Sequence, residues 1–210
     1  MFFVLEGIDG SGKTTQADRL AEMLARRLGP DNLIRTREPG GWEGSAAARE
    51  FVLGGGLASL WGEFFFFMLD RCEHVERVIK PALSQGKTVL SDRYAPSTLA
   101  YQIFSDTSID SAAAEYAARL GEVIGLPTPD AVFFLDVDPG TAASRLASRG
   151  VTDSFDGRGR EFCESVRTGY EKTKAAWSGR WVDIDASRDE EAVARDIEAE
   201  VSSMLTAAQR

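Results

Sequence analysis

The sequence predicts an α/β protein of three layers: a five-stranded parallel sheet flanked by helices, with a mobile lid. Three observations carry that expectation. Five short apolar runs recur along the 210 residues and mostly lack polar/apolar alternation, the pattern of strands covered on both faces. Helical patterns separate these runs, which favours parallel strands joined by crossovers. A glycine-rich run of the phosphate-binding type stands between the first strand and the first helix.

The strand candidates are Phe2 to Leu5, Asn32 to Thr36, Thr88 to Ser91, Ala131 to Val137 and Trp181 to Ile184. After the first, Ala17, Leu20, Ala21, Leu24 and Leu28 recur at three- and four-residue steps, and Gly29-Pro30 ends the helix they define. The stretch Leu60 to Leu83 contains Phe64, Phe65, Phe66 and Phe67 in succession. Successive helical side chains diverge by about 100°, so these four cannot share one core stripe. Either the helix is buried between the sheet and its neighbours, or part of its surface is a subunit interface and part lines a ligand pocket. Near the end, Ser187 and Glu190 have capping-box spacing, and Val193, Ile197, Val201 and Leu205 supply a buried stripe. With no repeat period and no low-complexity linker, residues 1–210 are expected to form one domain.

Composition removes several classes. At 43% hydrophobic and 27% charged residues the chain is neither disordered nor fibrous. A net charge of −9 disfavours attraction to a phosphate polymer or an anionic membrane, so neither nucleic acid nor membrane is an expected partner. The apolar stretches, such as Phe64 to Leu69, fall short of the roughly 20 residues that span a bilayer. No signal-peptide pattern opens the chain, and a cytoplasmic location is expected. Cys72 and Cys163 lack C-x-x-C spacing and His74 is the sole histidine, so no structural zinc site is expected.

The run Gly7-Ile8-Asp9-Gly10-Ser11-Gly12-Lys13-Thr14 fits G-x-x-x-x-G-K-[ST] in full. Its glycines let successive N–H groups point inward, the helix start adds partial positive charge, Lys13 reaches the terminal phosphates and the Thr14 hydroxyl can ligate Mg²⁺. This motif implies a nucleoside triphosphate without saying what is done with it. No N-K-x-D guanine-reading motif is present, and the chain is too short and acidic for a helicase core. Instead, Arg37-Glu38-Pro39-Gly40-Gly41 follows the second strand and Asp92-Arg93-Tyr94 the third, at the carboxyl ends where parallel sheets bind ligands.

These residues resemble the thymidylate kinases, P-loop nucleoside-monophosphate kinases that convert dTMP to dTDP with ATP. The resemblance covers nearly the whole chain. It rests on Phe3 to Gln16, on Thr36-Arg37-Glu38-Pro39-Gly40-Gly41, and on Asp92-Arg93-Tyr94 with Ser97-Thr98 and Ala100-Tyr101-Gln102. Pro129-Asp130, Leu135-Asp136-Val137 and Ile184-Asp185-Ala186 add to it. It implies that Gly7 to Thr15 and Ala186 bind ATP, with Asp9 lying between the acceptor's sugar and the metal and Glu6 supporting the loop. Arg37 and Arg93 would hold the acceptor phosphate, which suits a planar guanidinium fork. Asp92 would join Thr14 at Mg²⁺. Phe67 would stack on thymine, Arg71 donate to its edge and Thr98 read the other edge. Ser97 would belong to the same substrate site, and Tyr101 would crowd the 2′ position. A homodimer is also implied.

Residues 145–160 carry Arg145, Arg149, Arg158 and Arg160 among glycines, the composition of a loop that closes over phosphates. Where the family commonly has Asp-Arg-Phe-Glu, this chain reads Asp153-Ser154-Phe155-Asp156, and Gly10 stands where some members carry arginine. Positive charge for the transferring group is therefore expected from the lid, with Arg149 favoured and Arg158 or Arg160 as substitutes. The expected reaction is ATP-dependent phosphorylation of dTMP. The alternatives are a kinase for another pyrimidine nucleoside monophosphate, or a nucleotide-binding protein without transfer activity.

Overall fold

A computed structural model describes residues 1–106, 108–149 and 159–208. Strands β1 (Phe2–Glu6), β2 (Leu33–Arg37), β3 (Thr88–Asp92), β4 (Ala131–Asp136) and β5 (Trp181–Asp185) form one parallel sheet in the order β2-β3-β1-β4-β5. Each strand falls on its predicted apolar run, shifted by one residue at most of the ends. Register sets the functional rim, because Leu5 faces Asp92 across β1–β3 and Arg37 faces Asp92 across β2–β3. The carboxyl ends of three adjacent strands thus bring Glu6, Arg37 and Asp92 to one edge. The order switches at β1, where such sheets open a crevice for ligands.

Alternate residues of β1 serve the two faces. Phe2 and Val4 pack with Val75, Ile79 and Ala82, whereas Phe3 and Leu5 pack with Ala17, Leu20 and Leu24 of helix α1 (Lys13–Leu28). Helix α1 ends at Gly29, whose φ of 88° a residue with a Cβ tolerates poorly. The predicted stripe of the closing helix α9 (Glu190–Ala208) is buried in the same cluster. Its cap differs from expectation. The Asp189 carboxylate accepts from Ala192 N at 2.9 Å, while Ser187 donates to Asp185 instead of capping the helix. Two residues of further chain between the strand end and the helix separate Ser187 from the first turn.

Between β2 and β3 lie α2 (Ala46–Leu53) and α3 (Leu60–His74), which runs through a π-helical turn, Val75–Ile79, into α4 (Lys80–Ser84). The four phenylalanines divide as helical geometry requires. Phe64 is buried, Phe66 packs on Phe51 with ring centres 5.9 Å apart, Phe67 is half-buried and Phe65 is 60% exposed. After β3, α5 (Ala95–Thr98) continues into a second π-helical segment, Leu99–Phe104, and then α6 (Ser111–Val123). Helix α7 (Pro139–Arg149) follows β4, and α8 (Gly159–Ala176) leads to β5. Among the described residues, no helix is long and apolar enough to cross a membrane.

Candidate active site

The Gly7–Thr14 loop wraps the switch point between β1 and α1. Gly10 adopts φ 82°, and a Cβ there would collide with the carbonyl oxygen of Ala142 on α7, so both its turn and its packing require glycine. Lys13 folds back over the loop, donating to Ile8 O at 2.8 Å, and is 6% exposed. Burial, with Arg93 adding to it, lowers its pKa to about 8 against the pull of Asp9, Asp92 and Glu6. The Thr14 hydroxyl donates to Asp92 Oδ2 at 2.9 Å. That bond directs the hydroxyl proton at the carboxylate, and Thr14 itself lines the cleft.

Behind the loop, Glu6 is fully buried on a web of donors. Its carboxylate accepts from Tyr94 N (2.8 Å), Ser97 Oγ (2.6 Å) and Tyr170 OH (2.8 Å). Burial raises its pKa, and Arg93 and these donors work against that rise. Arg93 occupies φ 74°, rare for a side chain with a Cβ, in the turn after β3. Its guanidinium pairs with Asp9 and donates to Gly7 O (3.0 Å), Ser97 Oγ (2.9 Å) and Tyr101 OH (3.1 Å). Tyr101 in turn donates to Asp9 Oδ2 at 2.8 Å. Burial by itself would raise the Asp9 carboxyl, but Arg93 first and then Lys13 hold it below the ordinary carboxylate range.

These groups open onto a cleft of about 340 Å³. Asp9, Gly10, Gly12, Lys13 and Thr14 of the loop line it together with Arg37, Asp92 and Arg93 from the strand ends. Phe67, Arg71, Ser97, Thr98 and Tyr101 line the same cleft. Arg71 is 2% exposed and donates to Glu38 and to Thr98 Oγ1 at 2.9 Å. Gly7, Ile8 and Ser11 form the back of the loop and do not line the cleft, nor does Thr15. Ala186 lies apart at the end of β5, where its carbonyl accepts from Arg145 Nη1 at 3.1 Å. Arg160 is exposed and paired with Glu164 at 2.8 Å. The side chain of Arg149 and the whole of Arg158 lie outside the described residues.

Sequence reasoning missed several residues of this site. Glu38 stands inside the Thr36 to Gly41 motif, yet the motif assigns it no role. Gln102 stands in the Ala100-Tyr101-Gln102 run without an assigned role, and Arg49 and Leu53 of α2 line the cleft with nothing in their spacing to mark them. Tyr170 on α8, buried and bound to Glu6, would have been found only by asking which element covers the loop from the lid side.

A family sequence model described as Thymidylate kinase matches residues 5–197. The chain belongs to the thymidylate kinase family. It is 37% identical over 212 residues to the thymidylate kinase of Jannaschia sp. (strain CCS1), covering 99% of each chain. It is 38% identical over 202 residues to that of Ruegeria pomeroyi, covering 94% of this chain and 92% of the relative. A crystal structure of thymidylate kinase from Ehrlichia chaffeensis superimposes with a TM-score of 0.77 at 30% identity, covering 96% of this chain and 98% of that one. The thymidylate kinase resemblance and the parallel five-stranded fold drawn from the motifs are thus both borne out.

Proposed function

We propose that this member of the thymidylate kinase family transfers the γ-phosphoryl group of ATP to the phosphate of dTMP, giving ADP and dTDP, as one domain whose lid spans about residues 145–160. The observation that carries the reading is a single cleft lined by Asp9, Gly10, Gly12, Lys13 and Thr14 of the phosphate loop, by Arg37 and Arg93, and by Phe67, Arg71 and Thr98. The donor's phosphates lie along the loop amides and Lys13, with Ala186 and Thr15 at the nucleoside side. The acceptor phosphate lies between Arg37 and Arg93, and its base against Phe67. An oxygen of the dTMP phosphate attacks Pγ in line while the bond to the ADP oxygen breaks. A phosphate oxygen is already nucleophilic, so no general base is assigned.

Arg93 is committed to Asp9 before substrate arrives. An incoming phosphate therefore competes with a carboxylate for the guanidinium, and Asp9, once released, would be available to the acceptor's sugar or to Mg²⁺. Thr14 and Asp92 suit Mg²⁺, an oxygen-seeking ion that keeps several waters and takes few protein ligands. When bound, the ion offsets charge on the phosphates. Among the described residues no cluster of three or more His, Cys, Asp or Glu offers a different metal site. Arg149, with Arg158 or Arg160 as substitutes, supplies charge to the transferring group as the lid closes. Tyr101, held over Asp9, excludes a 2′-hydroxyl. We place the enzyme in the cytoplasm, as a homodimer.

A structure of the enzyme with dTMP and a non-hydrolysable ATP analogue tests this arrangement. The reading expects the dTMP phosphate within hydrogen-bond reach of Arg37 and Arg93 and the base against Phe67. A dTMP molecule lodged elsewhere would contradict it.

A further inference from the structure

Three residues of α3, namely Asp70, Arg71 and His74, grip the turn that follows β2. Asp70 accepts from Gly40 N (3.0 Å) and Trp42 Nε1 (2.8 Å). Glu38, 5% exposed, takes Arg71 Nε at 2.8 Å and Nη2 at 2.7 Å on one carboxylate oxygen and His74 Nδ1 at 3.0 Å on the other. His74 is fully buried, and its Nε2 meets Thr36 Oγ1 at 2.6 Å. Gly41 closes over the same ring, where a Cβ would stand 2.5 Å from Nε2. The one histidine of the chain therefore touches both the turn that presents Arg37 and, through Glu38, the side chain that reads the base.

Hydrogen-bond arithmetic sharpens the consequence. Arg71 has five N–H groups. Glu38 takes the one on Nε and its carboxylate stands 2.7 Å from Nη2, and Thr98 takes one on Nη2. Only Nη1 remains, against the weak acceptor Met68 Sδ at 3.5 Å. A carboxylate can only accept, so His74 Nδ1 must carry a proton, whereas the Thr36 hydroxyl has one proton to place between Nε2 at 2.6 Å and Gly41 O at 3.4 Å.

We propose that Glu38 and His74 are positioning residues for acceptor recognition: they lock Arg71 so that Nη1 alone is offered to the pyrimidine edge, and they tie that lock to the Arg37 turn. This deepens the reading of Arg71 as the base reader and rests on it. His74 does not line the cleft, and Glu38 lines it with both carboxylate oxygens engaged by Arg71 and His74, so their effect should fall on dTMP binding and leave ATP binding alone.

Because His74 is the only histidine, long-range ¹H–¹⁵N spectra of the intact apo enzyme report on it without assignment. The proposal expects a proton on Nδ1, whether or not Nε2 also carries one, and a ring protonated on Nε2 alone would overturn it. In kinetics, Glu38→Gln cannot accept from both partners. It should raise the dTMP KM by about tenfold or more, with kcat and the ATP KM changed by less than about threefold. His74→Asn keeps a donor where Nδ1 stands and should hold the dTMP KM within about threefold of wild type, whereas His74→Leu should raise it about as much as Glu38→Gln. An unchanged dTMP KM in Glu38→Gln, equal rises for both substrates, or His74→Asn as impaired as His74→Leu would each overturn the proposal. If a variant does not fold, the wild-type tautomer still decides. Wild-type enzyme that fails to phosphorylate dTMP would instead defeat the functional reading, and the spectrum would still decide the hydrogen-bond network independently of that outcome.

Discussion

Lys13 illustrates how burial prepares a residue for its ligand. Its pKa of about 8 in the free enzyme reflects desolvation, and phosphate oxygens would restore the charged form. Above pH 8 the free lysine is increasingly neutral, so nucleotide binding must take up a proton. ATP affinity should then fall with rising pH above 8, approaching about tenfold per unit. Calorimetry in buffers of different ionisation enthalpy at pH 8.5 should show proton uptake that disappears in Lys13→Ala. Lys13→Ala should also lose about 10² to 10³ in kcat/KM, as when other preorganised charge donors are removed. Absence of proton uptake in the wild type would refute this account of Lys13. At this scale the sequence was informative wherever chemistry demands a rare combination. Lys13 and Thr14 after a glycine run admit few other uses, and Asp92-Arg93 ends a strand at the ligand rim. Glu38, His74 and Tyr170 were illegible because their roles depend on partners 33, 36 and 164 positions away.

The helix α3 shows what an element adds to its residues. One face delivers Phe67 and Arg71 to the cleft, the face bearing Phe64 joins a buried cluster, and Trp61, Phe65 and Leu69 stand at four-residue steps, 38%, 60% and 59% exposed. Large apolar side chains aligned on one exposed helical stripe suit an isologous contact between two copies. If so, Phe65→Asp should convert a dimer into a monomer in size-exclusion chromatography with light scattering at micromolar concentration. A wild-type monomer, or a Phe65→Asp dimer of unchanged mass, would speak against that face as the contact. The run of four phenylalanines was readable as a helix with more than one covered face, since 100° per residue leaves no other arrangement. The cap of α9 was misread because Ser187-x-x-Glu190 and Asp189 both offer capping chemistry, and only the path of the chain out of β5 decides which one sits at the first turn.

At the scale of the whole molecule, the sheet order β2-β3-β1-β4-β5 does the assembling. Non-alternating apolar runs revealed the strands and their parallel sense, and the loop after β1 marked the switch point, so the fold was legible almost throughout. Strand order itself is a long-range property that the apolar runs do not encode, and it stayed open at the level of sequence. It places Arg37, Asp92 and Glu6 on one rim, where the proposed reaction would bring two phosphates together. The central claim is that this meeting serves dTMP, and ADP release across a panel of monophosphates measures it most directly. With ATP and Mg²⁺ present, kcat/KM should be highest for dTMP, with dUMP, CMP, AMP and GMP below it and no ADP release without an acceptor. A higher kcat/KM for any of those four, or turnover with none of the acceptors, would contradict the account.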